Sequence, residues 1–279
     1  MILHLLTRCF LFAYLFLAMP LEAIDYAPWS EEPFLLNASA SSLYQKYAKV
    51  SSGDQTKKKR AQDVFLTASL NGYLPKLSLQ LQAIQAFTEM QKGAVDHFAA
   101  TLKYHYLDDI AGDFISLAFG GSFLQPFRWS LKDISSFHHG LVEGECFLAI
   151  GKEKSYLEDW EQRWSLVTSI GLAEQGSAWV RLNCDYAFRF LKKQTGKIFF
   201  HSLMGLGDKN LNLCQFKGYG AIAHRSIDIG MQYSYLFENL SKLHLKYAYR
   251  VYAKNFPLNS QCFTIEYCYD FALDELFSF

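Results

Sequence analysis

Residues 261–279 read QCFTIEYCYDFALDELFSF, in which Phe263, Ile265, Tyr267, Tyr269 and Phe271 alternate with Cys262, Thr264, Glu266, Cys268 and Asp270. Leu273, Phe277 and Phe279 keep the same parity to the last residue. Successive side chains of a strand point to opposite faces, so an extended chain here has one aromatic, apolar face and one polar face. A helix would scatter the same residues around its axis. The period of two predicts a strand that meets an apolar medium on one side and a polar one on the other.

The pattern recurs upstream. Leu77, Leu79, Leu81 and Ala83 alternate with Ser78, Gln80 and Gln82, and Phe98, Ala100, Leu102, Tyr104 and Tyr106 alternate with Thr101, Lys103 and His105. Val142, Cys146, Leu148 and Ile150 stand against Glu143 and Glu145, and Trp164, Leu166, Ile170 and Leu172 against Arg163, Ser165 and Ser169. The same holds for Val180 to Phe190 against Arg181, Asp185 and Arg189, for Ile227 to Phe237 against Asp228 and Gln232, and for Leu243 to Val251 against His244, Lys246 and Arg250. Phe34–Val50, Val64–Tyr73, Phe114–Leu124, Lys197–Gly205 and Leu211–His224 are weaker strand candidates, their alternation broken by glycine or small residues. Asn71-Gly72, Glu174-Gln175-Gly176 and Lys193–Gly196 carry turn chemistry. Two longer connections are expected, a basic flexible one at Ser51–Arg60 (SSGDQTKKKR) and one at Gln125–Gly140. Gly120-Gly121 and Gly218–Gly220 are read as lying within strands, where glycine marks a bulge or kink.

The 27 basic and 27 acidic residues leave no net charge, which argues against a nucleic-acid partner. Half of the chain is hydrophobic, yet nothing after residue 23 approaches the ~20 apolar residues of a membrane helix. Arg8, the apolar run Cys9–Met19 and the sequence Pro20-Leu21-Glu22-Ala23 read as a signal peptide over residues 1–23, leaving one domain over 24–279. No metal, nucleotide or redox cofactor motif is present.

A series of such strands closing on a C-terminal aromatic resembles the bacterial outer-membrane β-barrel proteins. The resemblance implies an all-β, antiparallel, up-and-down transmembrane barrel in the outer membrane, surrounded by lipid. Its last strand, ending in Phe279, is then what the barrel assembly machinery recognises. Even strand numbers are the rule in bacterial barrels, so twelve strands are expected, with fourteen as the alternative. The function implied is a porin-like passive channel or a structural surface protein. A barrel enzyme of lipase or protease type and a secreted β-sandwich are the alternatives.

Parity assigns Lys103, Arg163, Arg181, Asp185, Arg189, Asp228, Lys246, Arg250 and Glu266 to the lumen, with His97, His105 and His244. Either these charges pair across strands and fill the interior, or they line an aqueous passage and set its preference. Arg181, Asp185 and Arg189, four residues apart, suit a charged ladder at a constriction. Catalytic candidates are Ser135 and Ser136 with His138 and His139, and His105 near Asp108 and Asp109. None carries the segment signature of a known barrel enzyme, so no enzyme is expected.

Five cysteines follow residue 23. Cys262 and Cys268 share a strand face about 20 Å apart, beyond the ~7 Å that a disulfide spans. Cys146 and Cys184 are expected on the lipid face. The odd number leaves a thiol for a disulfide between chains.

Overall fold

A computed structural model describes residues 26–156 and 159–272. The segment expected to be a signal peptide, residues 1–23, and the terminal residues Leu273 to Phe279 lie outside the described residues. Twelve long strands form one closed antiparallel sheet: β1 (Leu35–Ser52), β2 (Gln55–Leu74), β3 (Leu77–Phe87), β4 (Ala94–Leu107), β5 (Ser116–Pro126), β6 (Glu143–Tyr156), β7 (Asp159–Ala173), β8 (Trp179–Leu191), β9 (Gln194–Gly205), β10 (Arg225–Leu236), β11 (Lys242–Lys254) and β13 (Gln261–Ala272). The two-residue β12 (Pro257–Leu258) caps the upper part of β1. Each long strand pairs with its chain neighbours, and β1 pairs with both β2 and β13, which closes the cylinder and leaves no edge. In that closure Leu35 stands opposite Ala272 and Lys46 opposite Gln261.

The two ends of the cylinder differ. Where the chain enters and leaves, the connections are mostly tight, as at Pro75-Lys76 and Lys192-Lys193. The opposite end carries the long segments 127–142 and 206–224. We call these the turn end and the loop end.

The outward face is apolar along every wall. Leu81, Phe98, Leu102, Phe123, Ile170, Met231 and Ile265 are exposed, Met231 by 62%. Exposed apolar surface that continuous is far beyond what water-facing proteins carry and suits contact with lipid. Between β1 and β5 the inward face is mostly neutral and polar, with the buried Gln45, Thr67, Gln82 and Ser122, and its charged Asp63, Asp96 and Lys103 hold the inserted segments. Asn71 Nδ2 donates to Asn37 Oδ1 at 3.0 Å across the lumen-facing side of the β1–β2 pair.

Several local expectations are corrected. The basic stretch Ser51–Arg60 is a β-hairpin: Gly53, at φ +61°, turns the chain with Asp54, and Ser52 pairs with Gln55. Asn71-Gly72 lies inside β2, paired with Asn37 and Leu36, because the reversal falls at Pro75-Lys76. Of Lys193–Gly196, only Lys193 is in the turn, and the others open β9. Leu211–His224 is a loop, with a single 3-10 turn at Leu213–Gln215 started by Asn212, whose Oδ1 accepts from Cys214 N. Its apolar residues Leu211, Phe216, Tyr219 and Ile222 are buried, so their spacing serves a plug rather than a barrel wall. Gly218 and Gly220 belong to that plug. Weaker candidates Phe34–Val50, Val64–Tyr73, Phe114–Leu124 and Lys197–Gly205 are all strands, in β1, β2, β5 and β9.

Candidate lumen chamber and septum

Three segments turn inward and divide the lumen. From the turn end, residues 26–31 run up inside the wall. Tyr26 donates from its hydroxyl to Glu145 at 3.0 Å, Lys103 Nζ donates to the Ala27 carbonyl at 2.7 Å, and His105 Nδ1 lies 2.9 Å from the Pro28 carbonyl. Trp29 Nε1 donates to Asp109 at 3.1 Å, and the Arg163 guanidinium sits 5.1 Å from the Trp29 ring centre. Pro28 and Trp29 pack against Gly151, where an added Cβ would come within 2.7 Å of Pro28 and 2.9 Å of Trp29.

From the loop end, segments 127–142 and 206–224 close the mouth over a core of Tyr47, Val50, Ile134, Tyr219, Ile222 and Phe256. A buried polar network fastens the first of them to the wall. Asp96 Oδ2 lies 2.7 Å from His138 Nε2 and 2.8 Å from His97 Nδ1, while Gln91 Nε2 donates to Asp96 Oδ1 at 2.7 Å and to Ser136 at 2.6 Å. Ser135 donates to Asp63 at 2.6 Å and meets the Tyr47 hydroxyl at 2.8 Å. Burial opposes the charge of His138, but the adjacent Asp96 and Glu143 carboxylates outweigh it and push the imidazole up to about 10. His224 has the reverse balance: burial, then the neighbouring His139, push it down to about 3. Asp96, His97 and His138 are close enough to suggest a metal set. Here the carboxylate oxygens are engaged by Gln91, His97 and His138, and the cluster acts as a hydrogen-bonded clamp between β4 and the loop.

Where the segments meet, side chains form a septum. The His139 ring stacks on Trp179 at 3.8 Å between centroids, and His139 Nε2 lies 3.3 Å from His224 Nε2. Trp179 Nε1 donates to Glu145 Oε2 at 2.9 Å, and Arg181 Nη2 is 3.4 Å from the same oxygen. Glu145 therefore joins Tyr26 from below to Trp179 from above. Two glycines of the wall make room: a Cβ on Gly171 would come within 2.0 Å of the Trp179 indole, and one on Gly205 within 2.1 Å of the His224 ring.

Below the septum is a chamber of about 470 Å³. One wall, from β8 to β13, is charged by Arg181, Asp185, Lys197, Lys242, Lys246 and Glu266, with His201 and His244 between them. The facing wall is neutral, from Asn37, Ser39, Asn71, Tyr73 and Gln80. Arg181 Nε and Asn183 Oδ1 are buried without a partner among the described residues. Above the septum a second recess of about 500 Å³ lies between the loops, lined by His139, Glu174, Lys209, Asn212 and Lys217 among others, and shares no lining residue with the first.

Of the nine residues assigned to the lumen, the structure brings Arg181, Asp185, Lys246 and Glu266 together in the chamber. The other five are engaged elsewhere. Lys103 holds the Ala27 carbonyl, Arg163 is 2.5 Å from Glu153, Arg189 stacks on Trp160, and Arg250 grips Asp228 with two bonds of 2.7 and 2.8 Å beneath the Phe256 ring. The supposed ladder is split accordingly, with Arg189 away from Arg181 and Asp185. The loop Ser–His candidates are not joined: Ser135 and Ser136 bond Asp63 and Gln91, and among the described residues no hydrogen bond links either to His138 or His139. His105 Nε2 instead meets Ser78 at 2.8 Å, a pair 27 positions apart that periodicity does not reveal. Its other nitrogen holds the Pro28 carbonyl, so the pair anchors the N-terminal segment. Trp179, His139 and Glu145 form the septum, and only the inward parity of Trp179, within a strand otherwise polar on that face, hints at it beforehand. All five described cysteines are without a disulfide; Cys146 and Cys214 are exposed.

No protein-family model matches the sequence, and no curated protein matches it. Solved structures do share the fold. An outer membrane channel from Pseudomonas putida F1 superposes with a TM-score of 0.60 at 11% identity over 90% of this chain and 100% of that one. The NanC porin gives a TM-score of 0.55 at 10% identity over 84% of this chain and 98% of its own. At such identities the likeness is one of architecture: a twelve-stranded barrel of the kind found among outer-membrane channels.

Proposed function

We propose that this chain is an outer-membrane barrel that passes small polar solutes through a narrow, normally closed lumen. The observation that carries the reading is the polar chamber, separated from the loop-end recess by a septum in which Trp179 and Glu145 stand on the wall and His139, His224 and Tyr26 on inserted segments. Strand ladders fix the wall, whereas the inserted half of the septum can move aside without breaking the barrel. The architecture shared with the Pseudomonas outer membrane channel and the NanC porin supports the same reading, as does the apolar exterior. β1 begins and β13 ends among the short turns, which in outer-membrane barrels face the periplasm, and the loop end then faces outward. Residues 1–23 serve as the signal peptide, and the strand ending in Phe279 as the mark for the assembly machinery. A chamber with one charged wall discriminates among solutes by charge.

The test is conductance in planar bilayers with refolded protein. Small, brief steps are expected, and Arg181→Gln with Lys246→Gln should move the reversal potential towards cation preference in a salt gradient. Absence of steps even after the septum is loosened would leave a structural surface role, for which the exposed Cys214 at the loop end, available for a disulfide between chains, is the specific observation.

A further inference from the structure

We propose that the outer face of the β1–β2 hairpin binds the phosphate groups of an acidic glycolipid in the outer leaflet. The inference rests on the outer-membrane reading above. The hairpin is longer than its neighbours, with 18 and 20 residues against 11 in β3, so it rises past the apolar band. On its outward face stand Lys46 and Lys49 from β1 and Lys58 and Arg60 from β2, all exposed. Register places Lys49 directly opposite Lys58, and a β-bulge between Tyr47 and Lys49 brings Arg60 in beside that pair. Like charges directly opposite on one sheet face are destabilising, because their Cβ atoms are only about 5 Å apart. Among the described residues none of the four has a carboxylate partner, whereas the inward-facing Lys59 takes Glu89 at 3.5 Å. An anion supplied from outside the chain removes the repulsion.

The second feature is a recess beside the cations. Level with this bulge, the pairing of β1 passes from β13, ending at Lys46 opposite Gln261, to β12, beginning at Lys49 opposite Leu258. The gap is a recess of about 280 Å³ on the barrel exterior, lined by Lys46, Lys49, Tyr249, Leu258, Asn259 and Gln261. Its lining combines the Lys46 and Lys49 ammonium groups and the Asn259 and Gln261 amides with the Tyr249 ring and Leu258, a mixture that matches a lipid with a phosphate, a sugar and an acyl body.

Depth agrees. Tyr44 and its cross-strand partner Phe263 are both exposed aromatic residues, of the kind that girdle a membrane barrel at its interfaces. Lys46 and Lys49 lie two and five residues above Tyr44. At ~3.3 Å per residue and a tilt of about 40°, they stand roughly 5–12 Å higher. A headgroup layer is roughly 5–8 Å deep, so the ammonium groups reach the phosphates.

The experiment uses the full refolded chain in neutral detergent micelles, with bisphosphorylated lipid A and its dephosphorylated counterpart as probes and bound lipid read by native mass spectrometry. Wild-type protein should retain the phosphorylated lipid at least tenfold more tightly than the other. Each lysine near an anionic surface is worth about fivefold, so Lys49→Gln with Lys58→Gln should weaken retention about 30-fold. Lys192→Gln with Lys193→Gln, at the turn end, should bind like wild type. Lys58→Glu supplies an internal partner for Lys49, so its melting midpoint should rise in neutral detergent and lose the increment that lipid A gives the wild type. Equal retention of both lipids, an unaffected hairpin variant or an equal loss in the turn-end variant overturns the inference. Each protein is first checked for migration that changes on boiling. Failure of all of them on that check defeats the membrane reading and this inference with it, whereas folded barrels with phosphate-independent retention defeat the inference alone.

Discussion

Asp96→Asn tests how the loop-end plug is held. The substitution keeps the shape of the side chain and removes the charge that lies 2.7 Å from His138 Nε2 and 2.8 Å from His97 Nδ1. His138 is then left with Glu143, 3.4 Å away, as its only carboxylate partner among the described residues. Removing one partner of a buried, hydrogen-bonded ion pair costs about 3–5 kcal/mol. At a factor of ten for each 1.4 kcal/mol, the undocked population of segment 127–142 rises by at least about 10²-fold. The wall should survive, since its pairing involves none of these side chains. Arg128 and Lys132 offer trypsin two sites on that segment, and cleavage follows the open population when opening is fast relative to cutting. The variant should therefore be nicked there at least about 100 times faster at pH 7, with heat-modifiable migration unchanged. The wild type has a matching pH dependence. The folded value of about 10 for His138 lies above the unfolded 6.5. Its contribution to docking is full below pH 6.5, falls by up to about 1.4 kcal/mol per unit between 6.5 and 10, and is gone above. Equal nicking of variant and wild type, or wild-type nicking that is flat from pH 7 to 10, would refute the account of His138 as the clamped cation.

Three further outcomes follow from the septum, the N-terminal segment and the exposed thiol. Gly171→Ala puts a methyl group where the Trp179 indole lies, at a cost of about 1–3 kcal/mol, and should raise single-channel conductance by displacing the ring; unchanged steps would mean that Trp179 does not obstruct the route. Trp29→Ala removes the bond to Asp109 and the contact with Arg163, so residues 26–31 should leave the chamber and conductance should again increase, measured in the same bilayers. If chains are linked through disulfides, Cys214→Ser should abolish the dimer band on non-reducing gels, while Cys268→Ser, whose thiol is buried in the lumen, should leave it intact.

What the sequence determined by itself is the sorting of each strand. A period of two needs no knowledge of partners, because the pleat alone sends Phe263, Ile265, Tyr267 and Tyr269 to one side and Thr264 and Glu266 to the other, and all four apolar residues are exposed on the barrel exterior. Counting such runs left a dozen to fourteen strands, with the loop Leu211–His224 among them, and the even-number rule of bacterial barrels set the expectation at twelve. What only the tertiary structure decided is where each polar side chain ends up. Lys103 and Arg181 have the same parity, yet one anchors the N-terminal segment and the other lines the chamber, because strands distant in sequence and inserted loops supply their partners. Leu211–His224 reads as a weak strand despite its broken alternation, and only the closed cylinder, which has no edge left for it to join, turns its apolar residues inward as a plug. The septum is the extreme case. Trp179, His139, His224, Glu145 and Tyr26 come from five separate places in the chain, and closure of the barrel brings them into contact.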